Sequence, residues 1–179
     1  PKAVRALAEF GLATLLDESM WTPDSKTSKL TTTKISSWRS CTFAKSGPCP
    51  ASTDGDVLVW SGKFAHNFYG NELPAIRSAA IINMSVEELV ELLVDSDRVK
   101  EYNAMSLGRK DLVKLQDDYH GPFGGIAKVM CSESRPPMLR KTLQFTSIFH
   151  ARKLDDGSYQ LVSRAVSNGS SGSSSATLV

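Results

Sequence analysis

Several things are scarce in this 179-residue chain, and each scarcity excludes something. No apolar run approaches the ~20 residues a membrane-spanning helix needs. The formal charge is only +2, too small to argue for nucleic acid as a partner. There are three cysteines, Cys41, Cys49 and Cys131. They are odd in number and lack metal-ligand spacing. Three free thiols suit a reducing compartment, whereas a Cys41–Cys49 disulfide would need an oxidising one that nothing else suggests. The three histidines, His66, His120 and His150, lie far apart, and none sits in a Ser, Cys or metal-ligand motif. Cys131 and His150 can be drawn as neighbours across strands, but a buried inert cysteine is the simpler reading. No catalytic residue, metal or cofactor is therefore expected.

What is present is an ordinary globular composition, 41% hydrophobic and 22% charged, large enough to bury a core. The chain is organised around Ser78–Leu115, read as strand, capped helix, short second helix, strand. Ser78–Asn83 is a short apolar run consistent with a buried strand. Ser85 and Glu88 form the S-x-x-E capping box, with Met84 and Leu89 at the staple positions. Val86, Leu89, Val90 and Leu93 share one helical face. The carboxylates Asp95, Asp97 and Glu101 cap and flank the second short helix.

On either side, local patterns continue. Lys2–Glu18 has helical spacing. Residues 25–53 carry Lys26, Lys29, Lys34, Arg39 and Lys45 among many Ser and Thr. That segment reads either as a phosphorylatable basic stretch drawn to anionic headgroups or as a solvated loop around one strand at Lys34–Phe43. Strands are expected at Val57–Trp60, Lys63–Phe68 (before Gly70 and Pro74 interrupt), Ile126–Glu133, Thr142–Lys153 and Ser158–Val166. In the long Thr142–Lys153 strand, Leu143, Phe145, Ser147, Phe149 and Ala151 alternate onto one face. Asp156-Gly157 favours a type I′ hairpin. Ser167–Ser175 is Gly/Ser-rich, and Ala176–Val179 begins another strand-like run. The class is α+β, an antiparallel sheet with one face covered by helices.

The run L-L-V-D-S-D-R-V-K-E-Y-N (Leu92–Asn103), followed by strand, turn, strand, Pro-Pro loop and strand-D-D-G-S-Y-strand-S-R-A-V up to Val166, resembles a START lipid-transfer domain. The resemblance covers roughly Asp54–Val166. It implies a helix-grip fold, a bent antiparallel sheet around a long C-terminal helix with an apolar tunnel between them. On that basis the chain divides into an N-terminal helix (1–24), a basic loop or insertion (25–53), a partial START-like domain (54–166) and a Gly/Ser-rich connection with the start of a further strand (167–179). The family's remaining strands and closing helix are absent. The piece alone is then expected to be marginally stable and prone to oligomerise. In the alternative, the Gly/Ser run is a tail and the N-terminal helix closes the sheet.

The resemblance implies a lipid-binding or transfer module for one apolar-chain lipid (a phospholipid, fatty acyl or sterol-like molecule), cytoplasmic and peripheral at membranes. A ligandless regulatory or scaffolding domain and an acyl-CoA thioesterase are the alternatives. Met130, Phe145, Phe149 and Leu161 are the candidate lining residues. Sterol-binding members resemble one another in an acid and an arginine on neighbouring strands. Those positions fall near Met130 and Phe149 here, which argues against that mode of recognition. Lys128 would share the face of Met130 unless a bulge intervenes. Arg135, Met138, Leu139, Arg140 and Lys141 match the loop at the tunnel mouth, with the composition of a segment that docks on anionic bilayers. The same Met and Leu fit equally well tucked into the core.

Overall fold

Helical and strand periodicities alternate along the chain, and the elements follow them. The structure, a computed structural model, describes residues 1–28, 57–64, 73–80, 82–137, 141–166 and 176–178. Their order is α1 (Lys2–Leu16), a 3-10 turn (Glu18–Met20), β1 (Trp21–Pro23), β2 (Val57–Phe64), β3 (Leu73–Ala80), α2 (Val86–Val94), α3 (Val99–Tyr102), β4 (Ser106–Gln116), β5 (Ile126–Ser134), β6 (Leu143–Lys153), β7 (Tyr159–Ala165) and β8 (Ala176–Leu178). The class is α+β, as the patterns imply, but the strands form two antiparallel sheets instead of one. They belong to two units, Gly11–Asn83 and Pro1–Phe10 with Met84–Val179.

In the smaller unit β1, β2 and β3 pair in that order. Leu58 and Trp60 are its buried apolar residues among those described, and the Arg77 guanidinium lies 4.9 Å from the centre of the Trp60 ring. A Cβ at Gly62 would come within 2.6 Å of the Met20 carbonyl oxygen, so only glycine allows that approach. Three expectations are corrected here. β2 runs unbroken through Lys63 and Phe64, so no separate strand starts at Lys63, and residues 65–68 lie outside the described residues. Pro74 does not interrupt a strand but sits within β3, at the sheet edge, where a missing N–H is tolerated. Ser78–Asn83 is not a buried strand. β3 ends at Ala80, and Ile76 and Ile82 are 79% and 54% exposed. The strand expected at Lys34–Phe43 and most of the basic 25–53 segment fall outside the described residues.

The larger unit holds the predicted helix pair and meander. Ser85 accepts from the Glu88 N–H at 3.2 Å, and the Glu88 carboxylate accepts from the Ser85 N–H at 3.0 Å, closing the capping box. Asp95, at the other end of α2, accepts from the Asp97 N–H at 2.9 Å. Arg98 and Glu101 pair in the bidentate manner, both bonds 2.9 Å, on an exposed surface.

Strands β4 to β7 then pair in sequence order, each antiparallel to the last. The β6–β7 connection departs from a two-residue type I′ turn. The Gly157 N–H donates to Leu154 at 3.0 Å across Asp155 and Asp156, and Gly157 takes φ +85°. That is the three-residue form with glycine in the left-handed position. The last strand-like run does form a strand, β8. It pairs with the start of β6, along Leu143–Phe145, and not with β7. β7 is left as a terminal strand among the described residues.

Both faces of this sheet are covered near β6. Phe149 and His150 are consecutive and point to opposite faces, yet they are 5% and 1% exposed. Val94 of α2 packs on the Phe149 side with Ile126 and Leu161. On the His150 side, Gln160 donates to the Ala8 carbonyl oxygen of α1 at 2.6 Å. Gln160 is the register partner of Arg152, two residues beyond His150 on the same face. So the helices are not confined to one face, and α1 does not close over Phe149. It lies behind it.

Candidate functional site

The site assembles on the Phe149 face. The β5–β6 register pairs Ile126 with Ala151, Lys128 with Phe149, Met130 with Ser147 and Ser132 with Phe145, with no shift along its length. Leu161 faces Ala151 from β7. The four candidate lining residues therefore share one face. Met130 and Phe149 are closed into a cluster with Ala151, while Phe145 and Leu161 remain half-buried. Burying each large side chain contributes roughly 1.5–3 kcal/mol.

Because the bulges all fall on the β4 side of β5, between Ser106 and Gly108, Asp111 and Val113, and Lys114 and Gln116, Lys128 stays on the Met130 face. It is 4% exposed. Its ammonium donates to the Val94 carbonyl at 2.7 Å, to Ser96 Oγ at 3.1 Å and to the Asp111 carboxylate at 2.9 Å. Three donors meet three partners. Ser96 in turn donates to Asp111 and accepts from Arg109 Nε at 3.1 Å. Arg109 spreads over the end of α2, donating to the carbonyls of Leu93 at 2.8 Å and Asp95 at 2.6 Å, and to the Tyr102 hydroxyl at 3.0 Å.

The physical logic is that of a helix C-terminus. α2 has no basic residue in its own last turn, and its final carbonyls need donors. Arg109 and Lys128 supply them from the sheet. Both cations also flank Phe149, at 6.0 Å and 5.8 Å from its ring centre, within cation–π range. Burial alone would raise the Asp111 carboxyl, but the bonds from Ser96 and Lys128 more than offset it and hold the group below its ordinary value.

This network was not anticipated, although a lysine at an inward position of an apolar strand was the signal for it. The positions at Met130 and Phe149 are apolar, and beside them Asp111 and Lys128 form an ion pair on neighbouring strands. A cavity of about 440 Å³ opens beside the network, and both acidic and basic side chains line it, among them Asp95, Asp97, Lys110, Lys114 and Asp117.

Of the docking-loop residues, Arg135 and Lys141 are exposed, and Arg135 reaches the Thr142 hydroxyl at 3.2 Å across the base of the loop. Met138, Leu139 and Arg140 lie outside the described residues, as do His66, Cys41 and Cys49. Cys131 is a free, half-buried thiol opposite Thr146. His150 lies opposite Ala127, so the ladder does not pair it with Cys131. No group of three or more His, Cys, Asp or Glu side chains fit to hold a metal occurs among the described residues. No helix among them is long and apolar enough to cross a membrane. Comparison with family models, curated proteins and solved structures returns no match.

Proposed function

We propose that the larger unit is a START-like, helix-grip lipid-binding or lipid-transfer module. In this reading it holds one apolar-chain amphiphile on the Phe149 face. One observation carries the proposal, the lateral division of that face. Toward β4 it presents Arg109, Asp111 and Lys128, and toward β6 and β7 it presents Phe145, Phe149, Ala151 and Leu161. A polar half beside an apolar half matches a headgroup joined to a chain, and concave sites of this composition are the usual small-ligand sites. On the same reading the module works in the cytoplasm and meets anionic membranes through Arg135–Lys141, whose basic residues would each contribute about 1 kcal/mol near such a surface.

Native mass spectrometry of the chain after incubation with phospholipid vesicles tests this. A one-to-one lipid adduct is expected in the wild type and its loss in Phe145→Glu, a half-buried position where the fold should persist. No adduct in the wild type, or equal loading of the mutant, would sink the idea. For the docking loop, a Met138→Ser, Leu139→Ser double mutant should sediment less with anionic liposomes than the wild type does.

A second reading rests on a separate observation. Leu107, Leu112, Val113 and Leu115 on β4 are 39–50% exposed, and β4 is a terminal strand among the described residues. Such an edge suits strand addition by a protein partner, the behaviour of a scaffolding module without ligand. A chain that never loads lipid but forms dimers lost on Val113→Lys would favour that reading.

A further inference from the structure

On the opposite face of the same sheet lies a second cavity, of about 300 Å³, lined by Arg5 from α1, Phe123 and Gly124 from the β4–β5 connection, His150 and Arg152 from β6, and the turn that follows from Lys153 to Asp155. Its charge is one-sided, with the guanidinium groups of Arg5 and Arg152 against the single carboxylate of Asp155, while the Lys153 ammonium lies 5.3 Å from the centre of the Tyr159 ring. Arg152 is oriented by a 2.7 Å bond from its Nε to Gln160. That leaves its terminal nitrogens, like the Arg5 guanidinium, without a hydrogen-bond partner among the described residues.

His150 supplies the second, independent observation. It is 1% exposed, and its Nε2 lies 3.1 Å from the Phe123 carbonyl oxygen. A carbonyl only accepts, so Nε2 carries the hydrogen and Nδ1 of the neutral ring is a bare acceptor. Nδ1 is buried and has no partner among the described residues. A buried polar atom left this way is destabilising and calls for an explanation. A cavity walled by cations beside a histidine that can gain a proton is complementary to an anion.

We propose that this cavity binds a phosphate-type oxyanion, the phosphate of a small phosphomonoester or of a lipid headgroup, through Arg5, Arg152 and His150 Nδ1. Two guanidinium groups match tetrahedral oxyanions with paired donors. One proton is shared between Nδ1 and the anion. It comes either from the anion's own acidic oxygen or from water, leaving hydroxide in the buffer. The cavity exceeds a bare phosphate in size, which leaves room for an ester group. In the free protein, burial holds the His150 ring neutral and lowers its affinity for a proton, and Arg152 acts the same way against the pull of the Phe123 carbonyl. A bound anion reverses both effects. Lys153 apart, the charged groups lining the cavity with the ring are Arg5 from α1, Arg152 from β6 and Asp155 from the turn. β5 and β7 present uncharged Ala127 and Val162 as its register neighbours.

The test uses the full chain and follows the His150 ring by NMR while sulfate, glycerol phosphate or phosphatidate vesicles are added. Sulfate stays dianionic across the neutral range, so its affinity should rise as the pH falls, by at most about tenfold per unit while His150 is neutral. Arg5→Glu changes an exposed residue, so it should leave the fold intact while weakening sulfate by about tenfold or more. His150→Phe, followed instead through the backbone amides of Phe123 and Gly124 that line the cavity, should lose the pH dependence. Saturation by soluble glycerol phosphate assigns a free phosphomonoester. Response to phosphatidate vesicles alone, lost in Arg5→Glu, assigns a headgroup. No saturable shift with any of the three, or equal affinity in Arg5→Glu and wild type, overturns the proposal. The readout lies on the face opposite Phe149, so its failure and the failure of the lipid reading are distinguishable.

Discussion

The two faces of the five-stranded sheet bury one ionisable group each among the described residues and treat it in opposite ways. Behind Phe149, the Lys128 ammonium meets a carbonyl, a hydroxyl and a carboxylate, and its three hydrogens are all used. On the His150 face, one ring nitrogen is bonded and the other has no partner among the described residues. The Lys128 ammonium has no donor left for a ligand, so its own effect is structural: it fastens the end of α2 to β4 and β5 and leaves headgroup contacts to the other charged side chains lining the adjoining cavity. An unsaturated group carries an energetic penalty that a ligand can relieve. The contrast separates a fixed polar anchor from a vacancy in hydrogen bonding, though both are buried ionisable side chains in one small sheet.

The sharpest way to break the contrast is to remove the anchor. Lys128→Met keeps most of the volume but strands Asp111, Ser96 and the Val94 carbonyl. Taking one partner from a buried pair is strongly destabilising. The expected loss is about 3 kcal/mol by urea unfolding, at the low end of such losses because the Asp111 side chain is 20% exposed. Adding Asp111→Asn should recover a large part of it, because the uncompensated charge then disappears. A single mutant as stable as the wild type would show that the network is ornamental.

The history of that network in the sequence explains what could be read and what could not. The α2 cap was legible because Ser85 and Glu88 are three residues apart, and the meander was legible because alternation is a local property of β6. The partners of Lys128 are 17 to 34 residues away in the chain, so the lysine announced a need without naming what met it. Alternation along β6 puts His150 on the face opposite Phe149. It misses burial because the cover comes from α1, and Gln160 meets Ala8 across 152 residues. The same limit hid the two-sheet division and the pairing of β8 with β6, which are set by contacts that no local pattern encodes.

Acid should act on the two faces in order. The folded-state affinity of His150 for a proton is lowered, so the stability linked to it is present above the ordinary value of 6.5 and is lost as the pH falls through the lower folded value. Asp111 is likewise lowered from 3.8, so its contribution persists until the pH drops below that figure and through the folded value. Unfolding midpoints measured from pH 8 downward should decline in two steps, the first beginning near 6.5 and the second below 3.8. Sulfate should shrink the first step and leave the second alone. A first step that is indifferent to sulfate would remove the distinction between the faces.

The smallest effect is expected where intuition about buried histidines would place a large one. His150→Phe removes the bond to the Phe123 carbonyl, a net loss of about 1 kcal/mol. It also removes the unpartnered Nδ1, whose burial opposes folding by an amount of the same order. The phenyl ring is close to imidazole in shape. The two terms nearly cancel, so the variant should unfold within about 1 kcal/mol of the wild type at neutral pH. Below pH 6.5 it should be the more stable protein, because a ring with no ionisable nitrogen cannot be charged inside the sheet. If His150→Phe instead lost as much stability as Lys128→Met, then Nδ1 would have a partner in solution, and the two faces would be alike.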